Sequence, residues 1–171
     1  MKILVFLQGT VLMHKNAIAH GREERVRQVV QEEGSVHDFA TYIPVGNSVL
    51  KLTTWHQQGA RIVYLSSHGK VEDVEKDKSV LRANGFPDGS VFYRQGDQQY
   101  SEIAESIMPD ILIEDDCESI GGEKEMTYPN IRLEARIKIK SIVVKEFGGI
   151  DHLPDNLELL ATYSLSGFKF R

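Results

Sequence analysis

Three clusters of polar residues, each placed directly after an apolar run, are the parts of this sequence equipped for chemistry. Gln8-Gly9-Thr10 follows MKILVFL, Ser66-Ser67-His68-Gly69-Lys70 follows RIVYL, and Glu114-Asp115-Asp116-Cys117 follows PDILI. The middle cluster combines hydroxyls, backbone N–H groups and positive charge, the ingredients of an anion cradle. The same Ser66 and Ser67 would also serve as a helix cap or turn. His68 is either a general base or a solvated loop residue. The third cluster packs three carboxylates together, and their repulsion must be relieved by a cation, by donors or by solvent. A hard cation such as Mg2+ suits grouped carboxylate oxygens, so the cluster is a candidate cation site. Glu118 extends the acidic character. Carboxylates beside Cys117 disfavour its thiolate, so it reads as a small structural residue and not as a nucleophile.

For these clusters to cooperate, the elements carrying them must end side by side. Strands are expected at Met1–Leu7, Arg61–Leu65, Ile111–Ile113 and Ser141–Val144, with a short one at Val91–Tyr93 after the turn signal Pro87-Asp88-Gly89. The main runs are rich in Ile, Leu and Val without strict alternation, as in strands covered on both faces. Helices are expected over Arg22–Glu33, with Val26, Val29 and Val30 on one side, and over Ser48–Gln58, Val71–Ala83 and Gln99–Met108. Residues 132–140 are weakly helical and strongly charged. The tail from Asp151 to Leu160 is expected to pack on the sheet edge.

Such alternation predicts an α/β fold, a three-layer doubly wound (Rossmann-like) sandwich with a mostly parallel central sheet. Ligands bind such sheets beyond the carboxyl ends of the strands, where all three clusters fall. A phospho-accepting receiver domain has the same alternation but needs its acidic pair after the first strand, where this chain has Gln8-Gly9.

With that order of clusters, the sequence resembles the haloacid dehalogenase superfamily, mostly Mg2+-dependent phosphohydrolases, over nearly the whole chain. The resemblance implies that Phe6 and Gln8 stand where the Asp-x-Asp-Gly-Thr motif has its nucleophile and its acid/base. It implies phosphate contacts from Gly9, Thr10, Ser66 and Ser67, and a Mg2+ seat at Asp115 and Asp116. The lysine of the third motif has no counterpart in Gln95–Gln99; Arg94 and Lys70 are the substitutes. Phe6 has no nucleophilic atom and Gln8 exchanges no proton near neutral pH, so aspartyl-phosphate chemistry cannot run and any Mg2+ site is weak. The implied protein is a capless or small-capped pseudo-phosphatase that binds a phosphate-bearing molecule or a protein partner. The alternative is an active metal-dependent phosphohydrolase that uses water directly, with Asp115, Glu114 or His68 as base.

Composition bounds these readings. The chain has 171 residues, 20 Lys+Arg against 25 Asp+Glu, and a net charge of −5. That length suits one domain over 1–171, with a small flap or cap within 11–45. The acidic balance argues against nucleic-acid binding, and no apolar run reaches the roughly 18 residues of a membrane span. A single cysteine and a first strand without signal-peptide character lead to the expectation of a cytoplasmic protein. The oligomeric state is left open.

Overall fold

The computed structural model describes residues 1–164. Its centre is a five-stranded parallel sheet made of β1 (Lys2–Phe6), β4 (Arg61–Leu65), β5 (Val91–Phe92), β6 (Ile111–Asp115) and β7 (Lys140–Val144). The order across the sheet is β5-β4-β1-β6-β7. The chain thus builds outward from β1 to one edge and then returns to build the other. This reversal puts the topological switch point at the carboxyl end of β1.

The pleat explains why the strand sequences are apolar throughout. Ile3, Val5, Ile62, Tyr64, Ile111 and Ile113 face one side, where Leu52, Trp55, Leu81 and Leu160 cover them. Leu4, Val63, Leu65 and Leu112 face the other, against Ile103, Ala104, Ile107 and Ile139. Successive side chains point to opposite faces, so a sheet covered twice needs an apolar residue at nearly every position. Each large side chain fully buried in this way contributes about 1.5–3 kcal/mol.

The covering helices are α2 (Ser48–Gln57), α3 (Val71–Ala83) and α6 (Leu157–Thr162) on the first face, and α4 (Tyr100–Ile107) on the second. A capping box starts α4, in which Gln99 N donates to Glu102 Oε2 at 2.8 Å. None of the described helices is long and apolar enough to cross a membrane.

Between β1 and α2 the chain makes a small substructure. Strands β2 (Leu12–Met13) and β3 (Ile43–Pro44) pair antiparallel, and the segment joining them contains α1 (Arg22–Val30). Met13, Ala17, Val45 and Phe147 form its buried centre, with Val26 and Val29 packed on it. Arg25 Nη1 donates to Phe147 O at 2.9 Å, and Phe147 N donates to Gly9 O at 2.7 Å. These bonds bring the insertion to the end of β1.

Several expected boundaries shift. Strand β6 runs on through Glu114 and Asp115, which pair with Val143 and Val144. Helix α1 stops at Val30 because Glu32 takes a left-handed conformation at φ 54, and Val30 itself is exposed. In the stretch 132–140 only α5 (Leu133–Arg136) is helical; Ile139 is drawn into the core and β7 begins at Lys140. The tail fastens onto α2 as well as joining the core. Trp55 Nε1 donates to Pro154 O at 2.9 Å and Lys51 Nζ to Leu153 O at 2.8 Å.

Candidate functional site

The ends of β1, β4 and β6 converge as the strand order requires, and their side chains divide into two networks. The first surrounds Gly9. Its φ of +85 belongs to the left-handed region, and a Cβ there would sit 2.7 Å from Asp115 Oδ2, so only glycine fits. Thr10 is fully buried and donates its hydroxyl to Asp115 Oδ2 at 2.8 Å. The other carboxylate oxygen accepts Cys117 N–H at 3.0 Å.

The second network centres on Asp77, a fully buried carboxylate on α3. Gln8 Nε2 donates to its Oδ1 at 2.9 Å, and Ser66 Oγ donates to its Oδ2 at 2.6 Å. His68 Nδ1 lies 2.9 Å from the same Oδ2, while the His68 ring stacks on Phe39 with centroids 4.0 Å apart. Gln8 is held at its other end too, because its Oε1 accepts Ser67 N–H at 2.9 Å. Ser66 Oγ accepts His68 N–H at 3.0 Å. The Ser66 hydroxyl therefore spends its proton on a carboxylate within the protein.

The remaining expected residues spread out. The strand pleat turns Glu114 away from Asp115. Glu114 accepts Thr127 N–H at 2.6 Å and Tyr128 N–H at 2.8 Å, inside the protein. Asp116 accepts Lys145 Nζ at 2.8 Å and Glu146 N–H at 3.0 Å. Arg94 lies over the Tyr100 ring, 4.3 Å from its centroid, and lines an adjoining cleft with Lys124 and Glu125. Lys70 is exposed.

Phe6 points to the α4 side of the sheet, and its ring meets Tyr100 edge-on at 5.1 Å. The Tyr100 hydroxyl donates to Ser67 O at 3.1 Å. Phe6, Tyr100, Tyr42 and Phe147 line a cavity of about 240 Å³, together with Gln8, Gly9, Asp115 and Glu146. Glu146 is buried and accepts Ser119 N–H and Ser119 Oγ–H, each at 2.7 Å.

Burial dominates the electrostatics here. It pushes the Asp115 carboxyl up to about 7, helped by the charge of Glu146 and opposed by the Thr10 hydroxyl. Burial also raises Glu146 and Glu114 above the usual carboxylate range. The Cys117 thiol is raised by burial and by Asp115, which agrees with a structural role.

Mg2+ demands near-octahedral oxygen ligation. Both Asp115 oxygens already accept hydrogen bonds, Asp116 is tied to Lys145, and Phe6 offers no ligand. Among the described residues, no group of three or more His, Cys, Asp or Glu side chains is arranged to hold a metal. The donor set does not fit the ion.

Sequence reasoning missed Asp77, Tyr100 and Glu146. Asp77 did leave a trace. It falls three residues after Val74 and four before Leu81, on the inner face of its helix, where a carboxylate must find donors.

A parallel five-stranded sheet covered on both faces, with its crevice at the strand-order reversal, is a Rossmann-like α/β fold. Solved structures with a similar fold include two of the Class C acid phosphatase from Bacillus anthracis. One matches with a TM-score of 0.55 and 14% identity over 86% of this chain and 67% of that one. The other, with tungstate bound, matches with a TM-score of 0.54 and 14% identity over 86% and 68%. No family model matches the sequence, and no curated protein matches it.

Proposed function

We propose that this chain is a pseudo-phosphatase, a binding protein built on a phosphohydrolase fold, with residues 11–45 forming a small cap beside its crevice. One observation carries the reading. The two positions that resemble the catalytic aspartates hold a ring packed on Tyr100 and an amide locked at both ends, to Asp77 and to the Ser67 N–H. Phosphoryl transfer needs an in-line nucleophile and charge stabilisation of the transferred group. Phe6 and Gln8 supply neither.

The occupant expected from the resemblance is a phosphate-bearing molecule or a protein partner. The N–H groups that would cradle a phosphate are engaged: Ser67 N–H with Gln8, His68 N–H with Ser66 and Cys117 N–H with Asp115. Carboxylates on the cavity wall also repel an anion. Both facts favour an occupant other than phosphate.

A second reading, direct attack by water, draws support from the Asp77–His68 contact. A buried carboxylate that accepts from Nδ1 leaves Nε2 as the basic atom. Asp115, titrating near 7, is the other base available to it. Glu114 is held by the Thr127 and Tyr128 N–H groups and does not line the cavity.

The deciding assay is turnover of a broad phosphomonoester panel with and without Mg2+. The binding reading expects the wild type to equal a buffer blank. Metal-dependent turnover that disappears in Asp115→Asn or His68→Asn would overturn it.

A further inference from the structure

We propose that the cavity at the end of β1 receives a small organic ammonium ligand, its cationic head among the aromatic rings and beside the carboxylates. This names the ligand class of the crevice and rests on reading it as a binding site.

Three features of the wall point the same way. Phe6, Tyr42, Tyr100 and Phe147 give it four aromatic rings, and Asp115, Glu125 and Glu146 give it three acidic side chains. None of the lining residues is Lys, Arg or His; Arg94 over the Tyr100 ring and Lys124 beside Glu125 belong to the adjoining cleft, which leaves Phe6, Tyr42, Phe147, Asp115 and Glu146 as the groups facing a bound cation. The negative faces of aromatic rings attract cations, most strongly when water is excluded, and adjacent carboxylates add to that field. Phosphate would meet negative charge from the same groups.

The chemistry of the wall also selects among cations. The donors that reach Asp115 and Glu146 are neutral hydroxyls and backbone N–H groups: Thr10 and Cys117 on one, Ser119 on the other. The charge of Glu146 makes Asp115 harder to ionise, and a positive group beside the two carboxylates relieves that cost. A divalent metal needs oxygens on every side, and most of this wall is carbon. An alkylammonium holds its water weakly and gains from contact with rings. A volume of about 240 Å³ lies just below the ~300–1,000 Å³ of sites for drug-sized ligands, so the occupant is a head group with a short tail.

The test uses the full chain and three probes followed by NMR titration: choline, its uncharged isostere 3,3-dimethyl-1-butanol, and inorganic phosphate. Choline is expected to bind in the millimolar range or tighter, and the isostere at least about tenfold more weakly. Replacing both Asp115→Asn and Glu146→Gln should weaken choline at least about tenfold and leave the isostere unchanged. Should that pair fail to fold, Tyr42→Leu tests the ring contribution and should weaken choline more than the isostere. No shift with about 50 mM choline on a folded chain overturns the proposal. Equal binding of choline and isostere also overturns it, while leaving a binding crevice intact. Phosphate bound in preference to choline overturns it in favour of an anion site. Phosphatase turnover in the parallel assay removes the underlying reading itself.

Discussion

Gln8 and Asp77 lie 69 residues apart in the sequence and are joined by a 2.9 Å hydrogen bond from the amide Nε2 to the carboxylate Oδ1. The bond ties the turn after β1 to the middle of α3. It also gives Gln8 a purely internal job, since its Oε1 is engaged by the Ser67 N–H at the other end. Ser66 and His68 converge on the same carboxylate, so three side chains from two strand ends are organised by one buried charge.

Removing that charge should be costly. In Asp77→Ala, three polar groups lose their acceptor inside the protein, and breaking a buried charged network costs about 3–5 kcal/mol. Urea unfolding should show that loss. Gln8→Ala alone should cost less, and the Gln8→Ala/Asp77→Ala cycle should show coupling of at least about 0.5 kcal/mol. Additive effects would mean that the contact contributes nothing.

Gly9→Ala should destabilise by about 1–3 kcal/mol, from backbone strain at φ +85 and from the clash with Asp115. Asp115→Ala in the same chain opens that space and should recover part of the clash contribution. Thermal melts of the two single variants and the double variant measure the effect, and a strictly additive double would show that strain alone accounts for the loss.

The pH dependence follows from Asp115. Burial raises its folded-state value to about 7, well above that of an unfolded carboxylate, so the folded state holds the extra proton. Stability from this group is therefore greatest below about pH 4 and declines as pH rises towards 7. The change is on the order of 2–4 kcal/mol, and Glu146 and Glu114 shift in the same direction. Denaturation midpoints measured between about pH 5 and pH 8 should fall more steeply for wild type than for Asp115→Asn. Parallel curves would assign the slope to other groups.

On the proposed pseudo-phosphatase reading, Phe6→Asp with Gln8→Asp supplies a nucleophile and an acid/base at the end of β1. The variant should hydrolyse p-nitrophenyl phosphate with Mg2+ above the wild-type blank. The gain will be modest, because the new carboxylate at position 8 stands near the charge of Asp77. A folded variant with no activity would show that two carboxylates at these positions are not enough for the chemistry.

Much of the fold was legible in the residues. Apolar runs at Met1–Leu7 and Arg61–Leu65, continuous where a half-exposed strand would alternate, require cover on both faces, and parallel order follows from the intervening helices. The convergence of Gln8, Ser66 and Asp115 followed from that order alone. Gly9 was read as part of a polar cluster, and only its φ of +85 and its contact with Asp115 show why a glycine stands there.

Partner choice was decided by the tertiary structure. Glu114 and Asp115 are neighbours in the chain, yet the extension of β6 through both sends one side chain to Thr127 and Tyr128 and the other to Thr10. Ser66 carries a hydroxyl whichever way it points, and only packing against α3 gives its proton to Asp77. Local pattern reports whether a side chain is buried, because burial recurs with the period of its own helix or strand. It does not report which distant group meets a buried polar atom, since that depends on how separate elements are stacked. That Phe6 and Gln8 carry neither a nucleophile nor a titratable group was visible from residue types; the aromatic, acid-lined cavity required Phe6, Tyr42, Tyr100 and Phe147 to be brought together from four separate segments.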